Sequence, residues 1–254
     1  AMREKALRLC ERILLEKLIY VPDGDTNWRN QGVLLIQARV TPSRASKNLT
    51  ILQQNDVRKL GSKRLGCSGN LYCFVDAPYM VMSNSDVAKG VSNGTLALLQ
   101  DVVLKTSCVV ALTRLPSGKK VHSVCASDVE CLLFKHQNAA WTKVTRFPTL
   151  PEGWFPVVAT LKTVECKFNS TFRSRIQILQ FPCVLSLVLT GHKVQGISTD
   201  SIILGGLSEK DRSGATGWLY VILSRVKTLG GLFVMTNIEQ NPVKYKVRED
   251  VQRE

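Results

Sequence analysis

Thr190-Gly191-His192-Lys193-Val194-Gln195-Gly196 places a hydroxyl, an imidazole, an ammonium, an amide and bare backbone within seven consecutive residues. Short donors, a point charge and a glycine that lets the main chain approach closely are what contact with a polyanion such as phosphate requires. Downstream, Tyr220-Val221-Ile222-Leu223-Ser224-Arg225 ends an apolar run on a guanidinium, whose planar fork of donors matches phosphate oxygens in pairs. Taken singly, His192 suits a satisfied core histidine as well as a ligand contact, and Arg225 suits a structural ion pair as well as a phosphate contact.

The elements around these clusters predict where they sit. Apolar runs at Cys183 to Leu189, Ser201 to Leu204 and Gly231 to Thr236 alternate with Gly-rich or polar turns, the pattern of a layered α/β domain. In such a domain ligands gather at the carboxyl ends of strands. A helix over Gly214 to Val226 would turn Trp218, Leu219, Ile222 and Val226 inward and project Arg225 from its last turn.

Upstream, residues 2 to 20 set Leu7, Leu9, Cys10, Ile13, Leu14, Leu15 and Leu18 at helical spacing. Pro22-Asp23-Gly24-Asp25 breaks that helix, and Val33-Leu34-Leu35-Ile36 reads as a buried strand leading into the loop Thr41-Pro42-Ser43-Arg44. From Tyr72 to about Cys131, short β-rich runs separated by Asn93-Gly94 and Pro116-Ser117-Gly118 predict a small antiparallel barrel. Residues 137 to 165, rich in Trp, Phe and Pro, read as an excursion from it, whose aromatics either stack nucleic-acid bases or close the barrel's open end. The charged tail after Asn241 is expected to be exposed.

Lys and Arg outnumber Asp and Glu by 34 to 20 in the 254 residues, and the resulting charge of +14 favours an anionic partner. Basic pairs at Arg58-Lys59, Lys63-Arg64 and Lys119-Lys120, with Arg173 and Arg175, punctuate structured segments instead of forming a tail. The eight cysteines contain no C-x-x-C pair and only three histidines accompany them, so free thiols are expected over a zinc or disulfide framework. No stretch has the run of roughly 20 apolar residues that a membrane helix needs. Gly61 to Ser68 imitates the glycine spacing of a phosphate-binding P-loop, but Cys67 stands where its lysine belongs, which predicts a basic surface turn.

Three segments together carry a resemblance. Thr190 to Gly196, preceded by Gln180-Phe181-Pro182, looks like the fifth motif, T-x-H-K-x-Q-G, of superfamily-one DNA helicases of the Pif and RecD type. Tyr220 to Arg225 resembles their sixth motif, Y-V-x-L-S-R, with its continuation at Leu229 to Leu232. Pro78 to Met82 with Asn84, Asp86 and Val91 to Thr95 is similar to the segment entering the barrel insertion of the second motor domain. Order and spacing agree across residues 70 to 240, most closely with the Pif-like helicases of Helitron-type transposons. Gly191 stands where the family has an apolar residue and Ser83 where it is often basic.

The resemblance implies an α/β, RecA-like second motor domain. Residues 1–94 would hold the N-terminal helix and its first part, 95–181 the inserted β-barrel with its excursion, and 182–254 its second part. It implies that Thr190, His192 and Lys193 contact the backbone of single-stranded DNA, that Gln195 and Gly196 face the nucleotide, and that Arg225 is an arginine finger. ATP and magnesium would need a first motor domain with a lysine-bearing phosphate loop, supplied in cis or in trans, because no such loop occurs in this sequence. The chain alone is then expected to be inactive as an ATP hydrolase. Roles in DNA repair, recombination or transposition and an intracellular setting, nuclear or mitochondrial, belong to this expectation. The alternative is a stand-alone nucleic-acid-binding remnant of a transposon helicase with no ATP chemistry.

Overall fold

The computed structural model describes residues 2–17, 27–42, 50–59, 68–137, 139–167, 173–189, 198–205 and 218–235. The chain divides into two units, Ala1–Val188 and Leu189–Glu254.

In the first unit, β1 (Val33–Gln37) lies between antiparallel β3 (Asn70–Phe74) and parallel β7 (Lys120–Cys125), and β6 (Ala111–Arg114) pairs outside β7. Val33 to Ile36 are all buried, which is why the strand reads as an unbroken apolar run without alternation. Ahead of it, α2 (Trp28–Gln31) ends on Gly32 in the left-handed region at φ 69°, where a side chain would be strained.

The chain turns at the buried Ala38 and continues as β2 (Arg39–Pro42) into a different sheet, pairing with β11 (Arg173–Gln180), which pairs in turn with β10 (Thr160–Lys167). Hydrogen bonds hold this corner. The Ala38 N–H donates to the Gly69 carbonyl at 2.9 Å, Arg58 Nε donates to the Ala38 carbonyl at 2.9 Å, and buried Gln180 donates through Nε2 to the Ile36 carbonyl at 3.3 Å. Arg58 is delivered by α3 (Ile51–Lys59), which opens on a reciprocal cap: the Gln53 N–H donates to Thr50 Oγ1 and the Thr50 N–H to Gln53 Oε1.

A third, antiparallel sheet runs in the order β12 (Cys183–Leu185), β4 (Pro78–Val81), β5 (Leu96–Leu104), β8 (Val129–His136), β9 (Trp154–Val157). Among the described residues no pairing joins β12 to β9, so this ladder is open. Between Leu99 and Asp101 its register shifts, and the bulge accompanies a two-point bond from Arg29 of α2 to Asp101, at 3.2 and 3.0 Å. Tyr79 links this sheet to the first: its hydroxyl accepts from the Phe74 N–H at 2.9 Å and donates to the Tyr72 carbonyl at 2.6 Å. Within the main core the Tyr79 ring meets Phe134 edge to face, and Phe134 stacks on Phe155.

Two expectations change here. The excursion is shorter than residues 137 to 165, because β9 and β10 are sheet strands; β9 lies at the sheet's edge, where Pro156 is tolerated. In α1 (Met2–Glu16), Leu14 and Leu15 pack against the core while Leu9 and Ile13 remain exposed. Described cysteines are all free, with Cys73, Cys166 and Cys183 buried. No helix among the described residues is long and apolar enough to cross a membrane.

In the second unit, β13 (Ile202–Leu204) and β14 (Leu232–Val234) are parallel, and α5 (Trp218–Leu223) falls between them in sequence, as a parallel pair requires. The expected helix over 214 to 226 is therefore found as 218 to 223, its earlier residues lying outside the described ones. The excursion's helix, α4 (Ala139–Val144), belongs to the first unit.

Candidate phosphate and nucleic-acid contact site

Arg225 follows α5 in a tight turn, with its N–H donating to the Ile222 carbonyl at 3.1 Å. Its guanidinium is half-buried and held along one edge: Nε donates to the Val221 carbonyl at 3.1 Å, and Nε and Nη2 reach Ser224 Oγ at 3.3 and 3.0 Å. Ser224 is itself fixed by donating to that same Val221 carbonyl at 3.0 Å. Among the described residues no carboxylate pairs with Arg225, so its positive charge is oriented and not neutralised. That setting suits an incoming anion.

The backbone beside this guanidinium is pinned to the strand entry. The Thr199 N–H donates to the Arg225 carbonyl at 2.9 Å, the Lys227 N–H donates to the Thr199 carbonyl at 3.1 Å, and Thr199 and Val226 form a parallel bridge. Lys227 meets Asp200 at 2.7 Å, but both side chains are mostly exposed, so the pair adds little stability. Gly231 permits the close approach, because a Cβ there would collide with the Asp200 carbonyl.

Of the residues singled out in the sequence, Arg225 is described, whereas Thr190, His192, Lys193, Gln195 and Gly196 lie outside the described residues. So does most of the P-loop imitation at Gly61 to Ser68. That Ser224 orients Arg225 emerges from the structure alone; in the sequence its adjacency to the arginine is the only signal.

The first unit carries a separate groove of about 870 Å³, lined by Glu11 and Arg12 of α1, Arg58, Asn70, Tyr72 and Leu115 among others. Its cations are engaged: Arg12 with Glu16 at 3.6 Å and Arg58 with the Ala38 carbonyl and Asn55. Burial pushes the Glu11 carboxyl up to about 7 against the opposing pull of Arg8.

No family model matches the chain. The search of curated proteins gives no match either. Solved structures do match. The crystal structure of Bacteroides Pif1 bound to ssDNA aligns over 96% of this chain and 41% of its own, with a TM-score of 0.51 and 18% identity. That of the Pif1 helicase from Candida albicans aligns over 98% of this chain and 47% of its own, with a TM-score of 0.51 and 18% identity. The chain thus spans less than half the length of each. At this identity the likeness is one of fold: a mixed α/β arrangement of several sheets, shared with part of these two Pif1 helicases.

Proposed function

We propose that this chain is the second motor domain of a Pif-like, ATP-dependent DNA helicase, a RecA-like core with an inserted antiparallel barrel. In this reading Thr190, His192 and Lys193 hold the backbone of a single strand, Gln195 and Gly196 face the nucleotide, and Arg225 is the arginine finger. ATP and magnesium sit on a first motor domain, in cis or in trans, that brings the lysine-bearing loop. The observation that carries the reading is the setting of Arg225, a guanidinium aimed by Ser224 and the Val221 carbonyl and left without a carboxylate among the described residues. Support comes from the fold it shares with part of two Pif1 helicases, one of them bound to ssDNA.

Chemically, a finger spreads positive charge over the transferring phosphoryl group and stabilises the transition state more than the ground state. The residues in this chain supply that charge and the strand contacts; the partner domain positions the nucleotide. Such a protein acts inside the cell, on nuclear or mitochondrial DNA.

The test is ATP turnover, with and without single-stranded DNA, by the chain alone and by the chain joined to a P-loop domain. Turnover is expected only in the joined protein, stimulated by DNA. Hydrolysis by the chain alone, or a chain that binds no single strand, overturns the reading.

A further inference from the structure

In the shortened excursion, α4 packs onto the turn that follows β4. Thr145, just past the helix, donates through Oγ1 to the Lys89 carbonyl at 2.7 Å, and its N–H donates to the Trp141 carbonyl at 2.8 Å. The Trp141 ring lies against Gly90, at φ +77°, where a Cβ would collide with the indole, and it runs nearly parallel to the His136 ring at 6.5 Å and 26°. So the indole is fixed in place. It is nonetheless 40% exposed, whereas Trp28 and Phe155, which serve the core, are 2% and 0% exposed.

Val87, on the same turn as Gly90, and Val144, one helical turn along α4 from Trp141, are also exposed. Lys143, within α4, and Arg146, just past its end, are exposed, and neither forms an ion pair among the described residues. Lys89 lies over the Phe147 ring at 4.2 Å and pairs with Asp86 at 3.1 Å.

A rigid, half-exposed indole offers a π-face for a base, and the two exposed cations on the same short segment offer charge to phosphates of the same strand. We propose that Trp141 is a base-stacking platform for single-stranded DNA, with Lys143 and Arg146 on the adjoining phosphates. The platform lies apart in sequence from the motif residues and adds a second strand contact. It rests on the reading that the chain binds single strands.

The probes are a labelled single-stranded oligodeoxythymidine, an abasic strand of the same length, and a strand bearing 5-iodouracil for photo-crosslinking, all used with the full 254-residue chain. Expected are a crosslink at Trp141 and a loss of affinity of about 5- to 150-fold in Trp141→Ala, the range for one stacked base. Trp141→Phe, which keeps a ring on Gly90 and His136, should stay within about threefold of wild type, since every base can stack on either ring. Lys143→Ala and Arg146→Ala should each reduce the salt slope by about 0.7. Wild type should prefer the thymidine strand over the abasic one, and Trp141→Ala should lose that preference.

If the strand binds but crosslinks elsewhere and Trp141→Ala matches wild type, this proposal fails while the helicase reading stands. If no strand binds at all, both fail. If Trp141→Ala abolishes self-association of the chain and leaves strand affinity unchanged, the patch joins two copies and the proposal is overturned.

Discussion

The Ser224 hydroxyl accepts from Nε and Nη2 of Arg225 while donating to the Val221 carbonyl, so the serine sets the direction in which the guanidinium points. In a two-domain motor, Arg225→Ala should lower turnover by about 10³- to 10⁵-fold, the range for other arginine fingers. Single-strand affinity should stay within a factor of a few. Ser224→Ala keeps the charge and frees its aim, and should cost on the order of tenfold in turnover, the worth of about one hydrogen bond. Steady-state ATPase assays read both. Unfolding of Arg225→Ala, with loss of DNA binding equal to that of Lys193→Ala, would make Arg225 a structural residue.

Lys193→Ala should act on the other ligand. Removing one phosphate contact should weaken single-strand binding and lower the salt slope by about 0.7 to 1, with no preference among sequences. Anisotropy titrations across a salt series measure it, and an unchanged slope counts against a phosphate contact.

Gly231→Ala should destabilise the second unit by about 1–3 kcal/mol or more, because the new methyl meets the Asp200 carbonyl, a backbone atom that cannot swing aside. Gly230→Ala is the control: its Cβ would find nothing nearer than Thr228 Oγ1 at 4.0 Å. Urea midpoints for the pair should separate clearly.

Two buried groups should give stability opposing pH dependences. The Glu11 carboxyl, raised by burial from 4.5 to about 7, holds a proton that the unfolded chain releases. Its stabilisation is therefore full below 4.5 and gone above about 7. Burial lowers His136 from 6.5, so the unfolded chain takes up a proton first, and stability contributed by the neutral ring is lost as pH falls from 6.5 through the lowered value. Glu11→Gln should leave a chain that only weakens on acidification, and His136→Gln one that only strengthens, over the window in which these two groups titrate. Denaturation midpoints across that window decide it.

Strands with one clear face, or none exposed, were legible from the sequence. Val33 to Ile36 is buried on both faces, and Leu96 to Leu104 is apolar enough to stand out. β10 was hidden because its burial runs against its hydropathy: Leu161 points outward while Lys162, Val164 and Cys166 take the inner positions. α1 departs from its pattern in the same way: among its described side chains Leu14 and Leu15 pack on the core while Leu9 and Ile13 lie outside. At the candidate site the guanidinium of Arg225 was visible as a residue type. Its orientation by Ser224 was not, since that depends on how the turn after α5 closes. For Trp141 the sequence left base stacking and loop packing open, because an aromatic in a loop-like segment looks the same whether buried like Phe155 or half-exposed.

The corner at Ala38 also sets a clock for the chain as it is made. Gln180, which donates to the Ile36 carbonyl, lies 144 residues downstream of it. At translation rates of about 5–20 residues per second, roughly 7 to 30 s separate synthesis of the two. Through that interval the chain emerging from the ribosome has β1 and β2 but neither β11 nor the glutamine that closes the bend. Until then the Ile36 carbonyl at the end of this doubly buried strand lacks its donor, although the strand's own sheet partners, β3 and β7, have already been made.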